Sequence, residues 1–369
     1  MSSLHYLAIY LPQFHPIPEN DDWWGKGFTE WTNAARAKPL FRGHYQPHLP
    51  ADLGFYDLRL GEVRRAQAEL AGKYGIDGFC YYHYWFHGRR LLERPVNEIL
   101  DSGDPDFPFC LFWANETWEG CWHGVTTENK ILMKQEYSDQ DDLDHIRWLA
   151  PAMADPRYIR VEGRPLFILY RPLDLPDCAR TLDTWREEMT NLGMPNPFFI
   201  ASNSHATHLN LLKYGFDGVL QFLPQLSVLD CFEPRGLLHR VKRLIVNMAQ
   251  GIVDSDLHVY DYEESVRKML TDPEWPVFRS LFPGWDNSPR SGRRGVVMKN
   301  SSPEKFGRLL WEISQTTLKQ QPAGRRLVFL NAWNEWAEGN HLEPDQKYGR
   351  AYLEAVCATK ERIAGHGAA

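Results

Sequence analysis

Eight short apolar runs, spread along almost the whole 369-residue chain, limit what this sequence can fold into more than any other feature. They lack a strict alternation of apolar and polar residues, which is typical of strands buried on both faces of a sheet. The runs are Tyr6–Leu11, Gly78–Tyr82, Phe109–Trp113, Leu166–Tyr170, Phe198–Ala201, Val219–Phe222, Val277–Phe282 and Leu327–Leu330.

The segments between these runs predict helices. Asp57–Tyr74, Asp139–Met153 and Ser302–Gln320 carry apolar residues at helical spacing, and a last helix is predicted over Tyr348–Ile363. Eight strands alternating with helices predict an α/β fold in which residues 1–369 form a single catalytic (β/α)8 barrel of the TIM type. A doubly wound open sheet is the main alternative. No glycine-rich phosphate loop follows the first run, which argues against nucleotide binding.

A short module occurs twice, and it supports repeated units in a parallel sheet. Lys73–Gly78 reads KYGIDG and Lys213–Gly218 reads KYGFDG, each between a helical pattern and an apolar run. The first glycine suits the left-handed position that ends a helix, and the second allows close packing where the strand begins.

Three connections are too long to be plain loops. They cover about residues 12–56, 114–138 and 223–275. In a barrel, insertions of this kind lie on the C-terminal face, where they build the active site.

Composition and charge exclude several partners. The formal net charge is −7 and basic residues form no block, so nucleic acid and anionic membranes are not expected partners. The N-terminal residues resemble neither a signal peptide nor a membrane span, and the six cysteines include no CxxC pair. We therefore expect a cytoplasmic protein without a disulfide framework. The oligomeric state is not predicted.

The residues that follow the predicted strands are rich in aromatic rings, amides and carboxyl groups. In barrel enzymes such positions face the active site. Rings stack on sugar faces while amides and carboxylates bind hydroxyl groups, so the mixture predicts an oligo- or polysaccharide substrate. The candidate substrate-binding residues are Gln13, His15, Tyr82, Tyr84, Trp85, Trp113, Asn115, Glu116, Trp118, Trp285, Asp286, Asn334 and Trp336.

Glu335 and Glu338 are the candidate catalytic residues. They lie three apart in NAWNEWAEG, directly after the eighth run. Glycoside hydrolysis needs a proton donor and a second carboxylate, and two close carboxylates among indole rings would have raised proton affinity. We expect both groups to face one cleft walled by Trp113, Trp333 or Trp336.

Other chemistries have weaker support in the sequence. His83 and His87 lie four apart but without an HExxH pattern, so we expect no metal site and no cofactor. Arg290 could hold an anionic group, although a solvated charged loop is the favoured interpretation.

The chain resembles the WbsX-like family, which occurs in bacterial polysaccharide biosynthesis loci and carries an older label of glycosyltransferase. The resemblance rests on LAIYLPQFHP, WWGKGFTEWTN, GIDGFCYYHYWF, LFWANETW, PGWDNSPR and NAWNEWAEGNHLEPD. The Glu-Trp-x-Glu-Gly element also resembles glycoside hydrolase family 99, the endo-α-1,2-mannosidases.

This second resemblance implies a role for each glutamate. Glu335 would act as base on the sugar 2-hydroxyl, which attacks its own anomeric carbon. Glu338 would be the general acid and then the base toward water, with net retention through an anhydro-sugar. Ala337 stands where the mannosidases usually have histidine, so mannose specificity stays open. A glycosyltransferase and a non-catalytic glycan-binding barrel are the alternatives to a retaining hydrolase acting on a bacterial surface polysaccharide or its precursor.

Overall fold

Eight parallel strands close into a barrel in a computed structural model that describes residues 4–120, 130–205, 208–232 and 257–366. Each strand pairs with its neighbours in the chain, and the first pairs with both the second and the last, which excludes the open sheet. All eight predicted runs are confirmed as strands. Their bounds are β1 His5–Tyr10, β2 Gly78–Phe86, β3 Phe109–Trp113, β4 Arg164–Leu169, β5 Phe198–Ser202, β6 Gly218–Gln221, β7 Phe278–Leu281 and β8 Leu327–Leu330.

Helices connect most of the strands on the outside of the barrel. They are α1 Gly61–Lys73, α2 Arg94–Ser102, α3 Asp139–Ala154, α4 Cys178–Asn191, α5 Leu226–Phe232, α6 Tyr262–Met269, α7 Pro303–Gln320 and α8 Ala351–His366. After β5, a 3-10 turn at Leu211–Tyr214 replaces a full helix. Ser302 caps α7, because its hydroxyl accepts the backbone N–H of Lys305. Among the helices in the described part of the chain, none is both long and apolar enough to span a membrane.

The predicted insertions carry short elements of their own. The first contains the helices Pro18–Trp24 and Glu30–Arg36, and the second contains a hairpin of Trp118–Glu119 with Ile131–Met133. Residues 121–129 of the second insertion and 233–256 of the third lie outside the described residues.

The connection after β7 is a fourth elaborated segment that the sequence did not predict. Trp285–Asp286 and Val296–Lys299 pair there, and His258–Asp261 joins them to form a small three-stranded sheet. The short helix Ser288–Ser291 lies between the first two of these strands.

The repeated KYGxDG module is confirmed as a joint between a helical segment and a strand. Gly75 and Gly215 adopt left-handed backbone angles, with φ of +86° and +89°. Asp77 exchanges two hydrogen bonds with the backbone of Tyr6, through its own N–H and its carboxylate, both 2.8 Å long. Asp217 does the same with Phe199 at 2.9 Å. Each module therefore fastens the strand that it begins to the preceding parallel neighbour in the barrel.

The second glycine of each module lies in close contact with its neighbours. A Cβ atom at Gly78 would be 2.8 Å from the backbone oxygen of Pro108 and 2.7 Å from Ile159 Cδ1. At Gly218 it would be 2.4 Å from a ring carbon of Phe278. These distances explain why both modules end in glycine.

We expect Gly78→Ala to lower the free energy of unfolding by about 1–3 kcal/mol, because the new methyl group overpacks a site bounded partly by backbone. Urea unfolding followed by circular dichroism measures this change. Gly61→Ala is the matched control, since its Cβ would lie 3.6 Å from the nearest atom of Arg64. Equal stability of the two variants would contradict the argument.

Candidate active site

A tight hairpin at the end of β8 positions the two candidate catalytic glutamates. Asn334–Glu335 pairs antiparallel with Asn340–His341, and the residues between form a single 3-10 turn that ends at Gly339. Gly339 has a φ of +57°, and a Cβ there would lie 3.0 Å from Asp286 Cβ. A left-handed residue without a side chain is therefore needed at this turn. The turn brings Glu338 back beside Glu335.

Arg290 joins the two glutamates. Its Nη2 donates to Glu335 Oε2 at 3.0 Å and its Nη1 donates to Glu338 Oε1 at 2.6 Å. Because two nitrogens of one guanidinium hold them, the two carboxyl groups lie within a few ångströms of each other. The side chain of Glu335 is 8% exposed and that of Glu338 is 20% exposed, so Glu338 is the more open of the two.

A third carboxyl group, that of Glu30, shares the same arginine. Arg290 Nε lies 3.2 Å from Glu30 Oε2, and the Glu30 side chain is fully buried. Its second oxygen, Oε1, is buried without a hydrogen-bond partner among the described residues. One guanidinium therefore faces three carboxyl groups in a space with little access to water.

Burial changes the proton affinity of the pair. It raises the pKa of Glu335 to about 8, an effect that the nearby Glu338 and Glu30 reinforce and that Arg290 opposes. Burial also raises the pKa of Glu338, again against the effect of Arg290. Two such carboxyl groups titrate as a unit, and near neutral pH they hold one proton between them more readily than two solvated carboxylates would.

The carboxyl pair faces a cleft of about 480 Å³ at the C-terminal face of the barrel. Eight of the predicted site residues line this cleft. They are Gln13, Tyr82, Tyr84, Glu116, Trp118, Trp285, Glu335 and Glu338. Burial raises the pKa of the Tyr82 and Tyr84 hydroxyl groups, so both stay protonated and can donate hydrogen bonds to a ligand.

Glu116 is a further carboxyl group of the cleft. It pairs with Arg171 at 3.0 Å, and burial nevertheless raises its pKa to about 7. Asn115 does not line the cleft but holds Arg171 by its backbone, accepting the Arg171 N–H at 2.8 Å and donating to the Arg171 carbonyl at 2.9 Å. Asn115 therefore supports the wall of the cleft, whereas a ligand in the cleft can reach Glu116.

Six other predicted site residues lie outside the cleft as well. Trp85 and Trp113 pack against His145 of α3 on the outside of the barrel. Asn334 holds the end of β1, because it accepts the Leu11 N–H and donates to the Leu11 carbonyl. Trp336 stacks on His341 at 3.8 Å. The remaining two are His15, which is buried, and Asp286, which lines a second cavity.

The expectation that Trp113, Trp333 or Trp336 would wall the cleft is wrong. All three are at most 1% exposed and belong to the packed core. Among the residues that the structure describes, the indole rings that line the cleft are those of Trp24, Trp118 and Trp285. Successive residues of a strand point to opposite sides, and a sequence without clear alternation does not indicate which side carries the site.

Sequence reasoning missed Glu30 and interpreted Arg290 as solvated. Both lie in motifs that carry the family resemblance, WWGKGFTEWTN and PGWDNSPR. Arg290 is buried, with its side chain 15% exposed. Its ion pairs with Glu30 and Glu335 join positions 260 and 45 residues apart, so no local sequence pattern reveals them.

Fold and site together define an α/β barrel with a buried carboxyl pair at the carboxyl ends of its strands. The profile of the family described as Glycosyltransferase WbsX matches residues 6–356, and the chain belongs to this family. Two proteins named "Uncharacterized protein WxcX", from two strains of Xanthomonas campestris pv. campestris, are each 42% identical to it over 354 residues. The match covers 95% of this chain and 48% of each relative, so the chain spans about half their length.

Solved structures share the barrel at low sequence identity. A GH99 endo-alpha-mannosidase from Bacteroides thetaiotaomicron has a TM-score of 0.54 and 14% identity, with 99% of each chain covered. A "Glycoside hydrolase-like protein" has a TM-score of 0.56 and 13% identity, with 97% of this chain and 94% of that chain covered. At these identities the likeness establishes the fold.

We expect the melting temperature of the wild type to fall relative to that of Glu335→Gln as pH rises from 5 to 9. A carboxyl group whose folded pKa is raised binds its proton more tightly in the native state, so its stabilising effect is complete below the unfolded pKa and is lost as pH rises through about 8. Differential scanning fluorimetry across this range measures the two slopes, with the exposed Glu69→Gln as control. Parallel curves for Glu335→Gln and the wild type would show that Glu335 does not carry the raised pKa.

Proposed function

We propose that this protein is a retaining glycoside hydrolase that acts on a bacterial surface polysaccharide or its precursor, with an α-mannoside-like sugar as the first candidate. The carboxyl pair on Arg290 carries the proposal, because it provides two acidic groups that share a proton in a cleft lined by aromatic rings. The chain acts as one barrel-based catalytic unit in this proposal, and the glycan is its partner. The family resemblance supports the polysaccharide context.

In the proposed first step, ionised Glu335 takes the proton of the sugar 2-hydroxyl. The 2-oxygen then attacks the anomeric carbon, the glycosidic bond breaks, and Glu338 gives its proton to the leaving oxygen. In the second step, Glu338 takes a proton from water, whose oxygen attacks the anomeric carbon. The bond from that carbon to the 2-oxygen breaks, and Glu335 returns the proton to this oxygen. Both glutamates end in their starting states.

The environment of the pair suits this exchange of protons. The mechanism needs one ionised and one protonated carboxyl group at the same time, and the shared arginine favours the first while burial favours the second. The greater exposure of Glu338 gives it better access to the leaving group and to water. Tyr82, Tyr84 and Gln13 offer hydrogen bonds to sugar hydroxyls, and Trp118 and Trp285 offer rings on which a sugar can stack.

A glycosyltransferase is the second candidate, favoured by the description of the family profile. The two functions differ in what receives the sugar. Incubation with a panel of bacterial surface polysaccharides in heavy-oxygen water, read by mass spectrometry, tests the difference. Hydrolysis places the heavy oxygen on the new reducing end. Transfer from a nucleotide sugar to an acceptor, without label, would replace the hydrolase proposal.

We expect Glu338→Gln to lower kcat/KM by about 10²–10⁴-fold on a glycan and far less on an aryl glycoside, because kcat/KM reports the first step, in which an aryl leaving group needs no proton. Glu335→Gln should lower kcat on both substrates, because it removes the base. Steady-state kinetics with both substrates separates the roles, and Glu69→Gln should leave both rates unchanged. Full activity of either site variant on a glycan would refute the assignment.

We expect a bell-shaped pH dependence of kcat/KM whose basic limb lies at higher pH than a solvated glutamate pair would give, because burial raises the pKa at which the pair loses the proton that the acid must donate. Arg290→Met should move both limbs to higher pH and lower the rate, because the guanidinium stabilises the ionised forms and orients the pair. Arg294→Met is the control on the same connection, since Arg294 is exposed. An unshifted profile in Arg290→Met would mean that Arg290 does not set these pKa values.

A further inference from the structure

A second cavity of about 560 Å³ adjoins the cleft. It lies among residues 41–48 of the first insertion, the connection after β7 and the chain that follows β8. Trp285 lines both this cavity and the cleft. None of the proposed catalytic steps uses the second cavity, yet three metal-ligating side chains meet on its wall.

These side chains are His48, His341 and Asp345. One ligand atom from each lies within 4.8 Å of the others, and His48 Nδ1 is 2.9 Å from His341 Nε2. Two ring nitrogens this close cannot both carry a proton, so at least one presents a lone pair to the other. Positions 48 and 341 are 293 residues apart, which is why no sequence motif predicted a metal site here.

Hydrogen bonds to neighbouring groups orient His341 and Asp345 and leave one ligand atom of each side chain available. His341 Nδ1 lies 3.0 Å from the Glu343 carbonyl, which can only accept, so Nδ1 carries the proton and Nε2 is the lone-pair nitrogen. Asp345 Oδ1 accepts the N–H groups of Lys347 and Tyr348 at 3.1 and 2.6 Å. Asp345 Oδ2 is left toward Tyr45, whose hydroxyl donates to it at 3.3 Å. Outer partners of this kind orient the ligands of metal sites.

We propose that His48 Nδ1, His341 Nε2 and Asp345 Oδ2 bind a divalent transition-metal cation of the Zn²⁺ class. Two imidazoles and one carboxylate are a Zn²⁺ ligand set with a fourth position left open, here toward the cavity, whereas Mg²⁺ and Ca²⁺ prefer oxygen ligands. Tetrahedral ligands around Zn²⁺ lie about 3.4 Å apart. Small side-chain rotations bring the three atoms, which lie within 4.8 Å of one another, to that spacing.

The neighbouring charges are compatible with a cation. The carboxylate of Asp286 also lines the cavity, but its oxygens are taken up by His44, Gln46 and the Ser288 N–H. Lys347 opposes the cation. Its ammonium group lies over the Tyr45 ring, 4.4 Å from the centroid, and its long side chain can turn toward the open mouth of the cavity.

A cation at this site would join the first insertion to the catalytic hairpin. His341 belongs to the return strand of that hairpin and stacks on Trp336, the residue after Glu335. His48 comes from the insertion that also supplies Glu30. The metal would therefore hold together two segments that both supply carboxyl groups to Arg290. It would act as a positioning element, apart from the reacting atoms.

Isothermal titration of the full chain with ZnCl₂ tests the site, after treatment with EDTA and without a histidine tag. We expect about one Zn²⁺ per chain and a Zn²⁺-dependent rise in melting temperature. His48→Ala should weaken binding by roughly 100-fold or more, since even outer partners change metal affinity by about 10–100-fold, and Tyr45→Phe should weaken it by about 10-fold. The exposed His208→Ala is the matched control and should bind like the wild type.

Two outcomes would overturn the site. One is the absence of saturable Zn²⁺ binding to the wild type, and the other is unchanged affinity in a folded His48→Ala variant. In either case the two histidines form a direct hydrogen bond instead. His48→Ala is preferred over His341→Ala because the His341 ring packs on Trp336 and its loss could disturb folding. Metal affinity is measured without substrate, so failure of this proposal would leave the proposed hydrolase activity untouched.

Discussion

The ion pairs of one buried arginine organise the candidate site. Arg290 comes from the connection after β7, Glu30 from the insertion after β1, and Glu335 and Glu338 from the hairpin after β8. Without the guanidinium, three carboxyl groups would share a space that has little access to water. A buried carboxylate that loses its partner is strongly destabilising, so the three connections adopt their observed positions together.

A further buried glutamate, Glu343, supports the hairpin. Glu343 accepts hydrogen bonds from Trp336 Nε1 at 2.6 Å, Tyr56 at 2.9 Å and Gln67 at 2.7 Å. Burial raises its pKa to about 7, while these donors act in the opposite direction. The three donors come from the hairpin, the first insertion and α1. Glu343 therefore connects the candidate site to the outer layer of the barrel, and it holds in place the indole ring next to Glu335.

The cleft and the second cavity adjoin each other. Trp285 lines both, and Asp286 packs against Gly339, the residue after Glu338. A change on the side of His48 and His341 would reach the carboxyl pair through Trp336 and Gly339. This connection gives a physical reason why the proposed metal site would affect the candidate catalytic hairpin, since tightly packed contacts transmit small displacements.

The sequence by itself determined the barrel and the position of Glu335 and Glu338 directly after its last strand. Both depend on local information. Short apolar runs such as Leu327–Leu330 indicate buried strands. In KYGIDG and KYGFDG, the first glycine adopts a left-handed backbone angle and the second allows close packing against the neighbouring residues. Tertiary structure alone decided which polar and aromatic residues meet. Arg290 joins Glu30 across 260 positions. Trp113 and Trp336 are buried in the core although they lie at or after the ends of strands, as the cleft residues do. Burial and ion pairing depend on the three-dimensional neighbours of a side chain, and the order of residues along the chain does not specify those neighbours.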